Sequence, residues 1–320
     1  MKAATVSTDG TCRGAMLARV LSYALLALGV LPLAPANAGG PLECANWQTN
    51  HPDWLWCDDF ESDASLSDNY FDVNRAGGRF GVVSTSGAFS GNGAIKASYL
   101  VGAEDAGGIK LSIGKTPVSP KRYTDRNFDE IYWRFYMKTG PNWIGQPRKV
   151  TRATIFTSSS WAQAAIDHLW EDFTDGTGMG LDTATGVSGS QVVTTKWNDF
   201  DHLVWMGKAN GTTKVYAPEN RERWFCVEVR WKLNTPGSSD GLTAFWVDGK
   251  LEGQKTGLNW RGSYTTYGIN AVTLEAWSNG GPPQNQDRYF DNFVVSTKPI
   301  GCMGSTSTVK PNPPTDVKAQ

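Results

Sequence analysis

Two stretches of this chain carry side chains that could grip a ligand. Over Glu130 to Lys138, Tyr132, Arg134, Tyr136 and Lys138 alternate with Ile131, Trp133, Phe135 and Met137. A strand here has one apolar face and one face of aromatics and cations. Over Tyr267 to Trp277, Val272, Leu274 and Ala276 share one face, while Tyr267, Thr273, Glu275 and Trp277 share the other. Aromatic rings stack on the apolar faces of sugars, and Arg or Lys binds a carboxylate, so the two polar faces are expected to form one platform. Cross-strand pairing on an ordinary sheet surface is the plainer use of the same residues. Proton removal near neutral pH usually falls to histidine. Of the three, His51 lies in an N-terminal loop and His202 in a polar Asp199-Phe200-Asp201 context, which leaves His168, in Ile166-Asp167-His168-Leu169-Trp170, as the preferred base.

The elements that must hold these groups read as strands. Gly-rich turns, abundant Trp and Tyr, and the lack of a long 3.6-period apolar stripe point to an all-β fold. Strands are expected over 78–83, 93–100, 108–113, 150–157, 163–170, 198–206 and 213–216, with helix competing at 163–170. The residues from Glu171 to Gly189 read as a Gly/Asp/Thr-rich loop. Period two is cleanest over Trp224 to Leu233, and Asp248-Gly249 marks a hairpin between Leu242–Val247 and Lys250–Gln254. The last two strands, Tyr267–Trp277 and Arg288–Ser296, read as a closing hairpin about a Ser278 to Pro283 turn. Asp291 in the second has many apolar neighbours and needs a metal ion, an Arg or exposure at a sheet edge.

Composition sets the compartment. Residues 1–38 read as a secretory leader, with Arg13 and Arg19 ahead of an apolar run from Val20 to Leu33 and an Ala36-Asn37-Ala38 cleavage pattern. That run is shorter than the ~20 residues that span a bilayer, so no membrane span is expected. Losing Lys2, Arg13, Arg19 and Asp9 takes the formal charge from −1 to about −3, which argues against nucleic acid as a partner. Cys12 leaves with the leader, and Cys44, Cys57, Cys226 and Cys302 remain, an even set with three possible pairings. Cys44–Cys57 and Cys226–Cys302 are the expected disulfides. Residues 39–302 make one large β domain, and the Pro/Ser/Thr-rich residues 303–320 a disordered tail or linker. No Gly-rich phosphate loop, GxSxG elbow or zinc spacing is present.

Asp58-Asp59-Phe60-Glu61, the Phe245-Trp246-Val247-Asp248-Gly249 hairpin and the terminal Tyr289-Phe290-Asp291-Asn292-Phe293-Val294-Val295-Ser296 together resemble the concanavalin A-like lectin/glucanase superfamily. Within it the chain looks most like exported polysaccharide lyases of the heparin lyase I and glucuronan lyase type. The resemblance implies a two-sheet antiparallel jelly-roll sandwich, a glycan across the concave sheet, and a structural calcium held by Glu61 and Asp291 on the far side.

A lyase of this kind removes the proton at C5 of a uronate, neutralises its carboxylate and protonates the oxygen leaving C4. His168 is then the expected base, Arg134 or Arg152 the carboxylate clamp, and Tyr267 or Tyr136 the proton donor. Tyr132, Lys138 and Trp277 would bind the sugar. A glycoside hydrolase would pair Glu275 with Glu171 or Asp172. A non-catalytic glycan-binding module would use Trp277, Tyr132 and Tyr136 and no titrating group. All three readings take an extracellular polysaccharide as partner and a secreted monomer as the working form.

Overall fold

The computed structural model describes residues 42–145, 149–172 and 174–304. The expected leader over 1–38 and most of the expected tail over 303–320 lie outside them. Seventeen strands follow in chain order: β1 (Trp54–Asp58), β2 (Asp72–Asn74), β3 (Phe80–Ser84), β4 (Gly93–Tyr99), β5 (Asp105–Ser112), β6 (Glu130–Thr139), β7 (Lys149–Phe156), β8 (Gln163–Glu171), β9 (Met179–Thr185), β10 (Val187–Ser188), β11 (Gln191–Val192), β12 (Val204–Asn210), β13 (Phe225–Lys232), β14 (Gly241–Val247), β15 (Lys250–Leu258), β16 (Ala271–Trp277) and β17 (Gln286–Ser296). A front sheet of seven strands runs β12-β9-β8-β7-β16-β5-β2, and a back sheet of eight runs β15-β14-β13-β6-β17-β4-β3 with β1 also on β17. Two antiparallel sheets packed face to face are the sandwich the sequence led us to expect.

Alternation explains the core between them. Ile131, Trp133, Phe135 and Met137 of β6 meet Val272, Leu274 and Ala276 of β16 in one apolar cluster. Each such side chain stabilises the fold by roughly 1.5–3 kcal/mol when fully buried. β17 lacks a clean polar face because its register shifts between Asp291 and Val294, with Asn292 at a φ of 44°. This bulge puts Phe290, Phe293 and Val295 into the same core despite their uneven spacing. Both expected disulfides are formed, Cys44–Cys57 and Cys226–Cys302, with Cα separations of 5.4 and 5.9 Å.

Four expectations need correction. The closing hairpin is not one, because β16 lies in the front sheet and β17 in the back sheet. The segment between them passes from one sheet to the other at the strand ends, beside the β4–β5 connection. Gly281 there has a φ of 71°, and a Cβ on it would come within 2.3 Å of the Gly102 backbone. The expected loop from Glu171 to Gly189 contains β9, which pairs with β8 and β12 and is buried along nearly its whole length. Its Thr, Gly and Asp content reads as loop, but a place inside the sheet overrides composition. Residues 198–203 form a turn and β12 starts only at Val204. No strand forms over 213–216, where Val215 and Tyr216 instead pack into the core.

Candidate functional site

The ladder register of the front sheet builds a row of polar side chains on its outward face. Lys110 of β5 stands opposite Thr273 of β16, which stands opposite Arg152 of β7. Arg152 in turn faces His168 of β8, His168 faces Asp182 of β9, and Asp182 faces Lys208 of β12. Opposed residues in a sheet point to the same side, so local alternation on six strands sums to one continuous band.

Two of these groups, Arg152 and His168, form a buried network with Glu275. His168 Nε2 lies 2.8 Å from Glu275 Oε1, and Arg152 Nη2 donates to Glu275 Oε2 at 3.1 Å. Arg152 Nη1 donates to Asn198 at 2.9 Å, and the Trp197 ring lies 3.8 Å from the guanidinium carbon. Burial works against the Glu275 carboxylate, but the Arg152 charge and the His168 hydrogen bond outweigh it and hold the carboxyl well below its usual range. Burial pushes His168 down to about 4, against the pull of Glu275. The imidazole is therefore neutral at pH 7, donates Nε2–H to Glu275, and keeps Nδ1 as an acceptor.

Two cavities open on this face. One of about 280 Å³ is lined by Lys110, Lys149, Arg152, Trp197, Glu275 and Trp277, among others. The second, about 1010 Å³, includes Trp143, Trp170, Asp182, Trp205 and Lys208. Lys149, in the lining of the smaller, has its ammonium 5.3 Å from the Trp277 ring centre and 5.5 Å from that of Trp170, which lines the larger. Burial lowers the Lys149 pKa below the ordinary lysine value, with Glu275 resisting and Arg152 adding to the fall. Lys110 lies 5.1 Å from the Trp161 ring centre and 5.4 Å from that of Trp197.

Of the residues singled out in the sequence, His168, Arg152, Glu275 and Trp277 come together here. His168, however, is only 2% exposed and lines neither cavity. Lys149, Lys110, Trp197, Trp170 and Asp182 were not anticipated. Lys149 escapes a period-two reading because the β7 register shifts between Lys149 and Thr151. Trp197 lies in a turn, where no periodicity exists to read.

The other half of the expected platform is elsewhere. Tyr132, Arg134, Tyr136 and Lys138 belong to β6, in the back sheet, and face outward on the opposite side of the sandwich. Arg134 donates to both oxygens of Glu43 at 2.6 Å. The Tyr136 hydroxyl accepts from the Met303 N–H, and its ring stacks on Phe89 at 3.5 Å. Lys138 donates to the Gly87 carbonyl and Tyr132 to Glu130. Tyr267 precedes β16 and packs against the core. A period of two tells which residues share a face and not which sheet the face belongs to. Arg134→Met should accordingly destabilise the fold by about 3 kcal/mol, by stranding Glu43, and leave glycan retention on an affinity gel unchanged. Lost retention in folded protein would return β6 to the site.

At the Glu61–Asp291 corner, where the resemblance implies calcium, backbone N–H groups reach both carboxylates. Buried Asp291 accepts the Phe89 and Ser90 N–H groups on Oδ2, at 2.8 and 3.3 Å, and the Asn292 N–H on Oδ1 at 2.8 Å. Glu61 Oε1 accepts from Asn92 and Gly93, both at 2.9 Å. Together they clamp the loop before β4. Calcium takes ~6–8 oxygen ligands, and among the described residues no three acidic, His or Cys side chains gather into a set that could hold a metal. No step below uses a metal. A chelator should leave the melting temperature unchanged; a rise of several degrees on adding calcium would restore the metal to this corner.

No protein-family model matches the chain, and a search of curated proteins finds no relative. Solved structures do share the fold. The alginate lyase vAL-1 from Chlorella virus superposes with a TM-score of 0.53 at 17% identity, covering 76% of this chain and 99% of its own. The marine PL-14 alginate lyase from Aplysia kurodai gives 0.51 at 11% identity, covering 76% and 99%. The alginate lyase Aly36B, as a mutant in complex with alginate trisaccharide, gives 0.51 at 11%, covering 75% and 97%. At these identities the likeness is one of fold, and the architecture is the jelly-roll sandwich of those lyases.

Proposed function

We infer that this protein is an exported polysaccharide lyase that cleaves a uronate-containing glycan by β-elimination on the outward face of the front sheet. The observation that supports it most is Lys149, a buried amine between the Trp277 and Trp170 rings, held beside the Arg152–Glu275–His168 network. The fold shared with alginate lyases raises the same reading by analogy. Two disulfides suit an oxidising compartment.

In this reading the sugar stacks on Trp277 and Trp197, and Lys110 with the Asn198 amide meets the uronate carboxylate, which acidifies C5–H. Neutral Lys149 Nζ takes the C5 proton. The C–H pair becomes the C4=C5 bond, the C4–O4 bond breaks, and the new ammonium returns a proton to the leaving oxygen. Arg152, Glu275 and His168 touch no sugar in this scheme. They fix the charge beneath Lys149, and Arg152 keeps its proton affinity down. Glu275 is already committed to Arg152 and His168, which disfavours the hydrolase reading that needs it as a free acid or base.

A binding-only groove is the second reading, favoured by the burial of His168, which lines neither cavity. An assay for the ultraviolet absorbance of unsaturated uronate products, across glucuronan, alginate, heparin-type glycans and pectin, separates them. Product with wild type and none with Lys149→Ala supports elimination. Silence across the panel, with retention of one glycan on an affinity gel, would leave binding alone.

A further inference from the structure

At the β12 edge of the front sheet, three apolar side chains stand in water: Phe200, Val204 and Trp205 are 54%, 63% and 39% exposed. Scattered singly such residues are ordinary, whereas a contiguous group marks a contact surface. Phe200 and Trp205 are contiguous, their rings within 22° of parallel and 6.4 Å apart at their centres. Trp205 stands opposite Ala184 in the ladder, on the same face of β9 as Asp182, so it belongs to the outward face that carries the groove. It also lines the larger cavity.

The segment that brings Phe200 to this edge begins at the groove. From Trp197 to Leu203 it meets four strands of the front sheet: Trp197 lies on Arg152 of β7, Leu203 packs against Ile166 of β8 and Ala184 of β9, and Phe200 stacks beside Trp205 of β12. Buried Asp199 pins it, accepting the Thr195 N–H at 2.8 Å and lying 2.9 Å from His202 Nδ1, and the Asn198 N–H donates to Gln163 at 2.8 Å. Rings already held in place lose little freedom on binding, which suits them to a flat apolar partner such as a sugar face. One wall therefore presents Trp197 in the smaller cavity and the Phe200–Trp205 pair at the sheet edge. β7 and β12 are three strand steps apart, at least ~14 Å at the usual strand spacing, so several sugars of one chain reach both ends of the wall and a disaccharide does not.

We propose that Phe200 and Trp205 form a remote stacking platform for the same polysaccharide chain whose uronate sits over Lys110 and Lys149, so that the protein selects long chains over fragments. This rests on the glycan groove inferred above. The occupant is carbohydrate, because Trp205 lines a cavity on the groove face and Phe200 shares its segment with Trp197.

Calorimetry tests this, with polymer and disaccharide of glucuronan, alginate, heparin-type glycans and pectin titrated into the full chain carrying Lys149→Arg, so that no chain is cut while it binds. Trp205→Ala, checked for native fold by circular dichroism, should cut the polymer-to-disaccharide affinity ratio about tenfold. Phe200→Ala should cut it severalfold, and Trp205→Tyr should keep most of it. A ratio unchanged in both alanine variants, or no polymer bound at all, would overturn the proposal. So would a dimer that Trp205→Ala turns into monomer with the ratio intact, since the pair then covers a second copy of the chain. If wild type yields no unsaturated product from any glycan while the ratio depends on Trp205, the lyase reading fails and the platform stands. Unsaturated product alongside a ratio indifferent to Trp205→Ala does the reverse.

Discussion

Lys149→Ala should abolish most elimination, with a fall in kcat of about 10²–10⁴, the range that a positioned general base contributes. Lys149→Arg makes the sharper experiment. It keeps a cation between the Trp277 and Trp170 rings, so glycan retention and KM should hold, yet guanidinium cannot accept a proton near neutral pH, so kcat should fall nearly as far. The wild-type profile carries a second signature. Because burial lowers the Lys149 pKa, activity should rise with pH through a midpoint below the ordinary lysine value of 10.5, and this limb should vanish in the variants. His168→Asn should instead weaken activity through its loosened hold on Glu275, without removing the limb. If His168→Asn removes it and Lys149→Arg does not, the imidazole is the base after all and must be reached by a movement of Trp170, whose ring centre lies 4.3 Å from it.

Asp167→Asn should make the protein more stable at alkaline pH. Asp167 neighbours His168 on β8 but points the other way, into the sandwich, where Thr243 of β14 donates to its Oδ2 at 2.6 Å. Its Oδ1 has no partner, and full burial pushes the carboxyl from 3.8 up to about 8. Between those values the native state holds a proton that the unfolded chain has released, so this contribution is whole below the unfolded value and is lost as pH rises toward the folded one. The advantage of Asp167→Asn over wild type should therefore grow from pH ~4 to ~8 and then level off, reaching at least about 2 kcal/mol. His168 works in the opposite sense, since its lowered pKa costs stability as pH falls from 6.5 toward about 4. Comparing the two proteins at each pH cancels that term. Denaturant titrations that give a pH-independent difference would mean Asp167 is ionised in the fold and paired.

The groove and the buried acid come from the same strand, and this shows where reading by sequence runs out. Alternation in Ile166-Asp167-His168-Leu169 separates the two residues onto opposite faces, but it does not say which face is core. That depends on the partner sheet. The strength of the pattern in β6 and β16 had a similar limit: each strand's apolar face was legible, and each faces the core. Their polar faces were expected to join, and they point away from each other on opposite sides of the sandwich.

What the sequence determined by itself is local. Apolar alternation on β6, β13 and β16 set the all-β class, the Asp248-Gly249 turn set the β14–β15 hairpin, and the four cysteines admitted the pairing that is found. The tertiary structure alone decided which strands neighbour one another, because ladder pairing joins residues far apart in the chain: Glu275 meets His168 across 107 positions and Arg152 across 123. It decided too that backbone N–H groups would reach Asp291 and Glu61, contacts that leave no mark in a sequence. Lys149 and Trp197 came last into view for the same physical reason. A register shift and a turn break the period on which local reading depends, and only packing against Trp170, Trp277 and Arg152 shows what those two side chains are for.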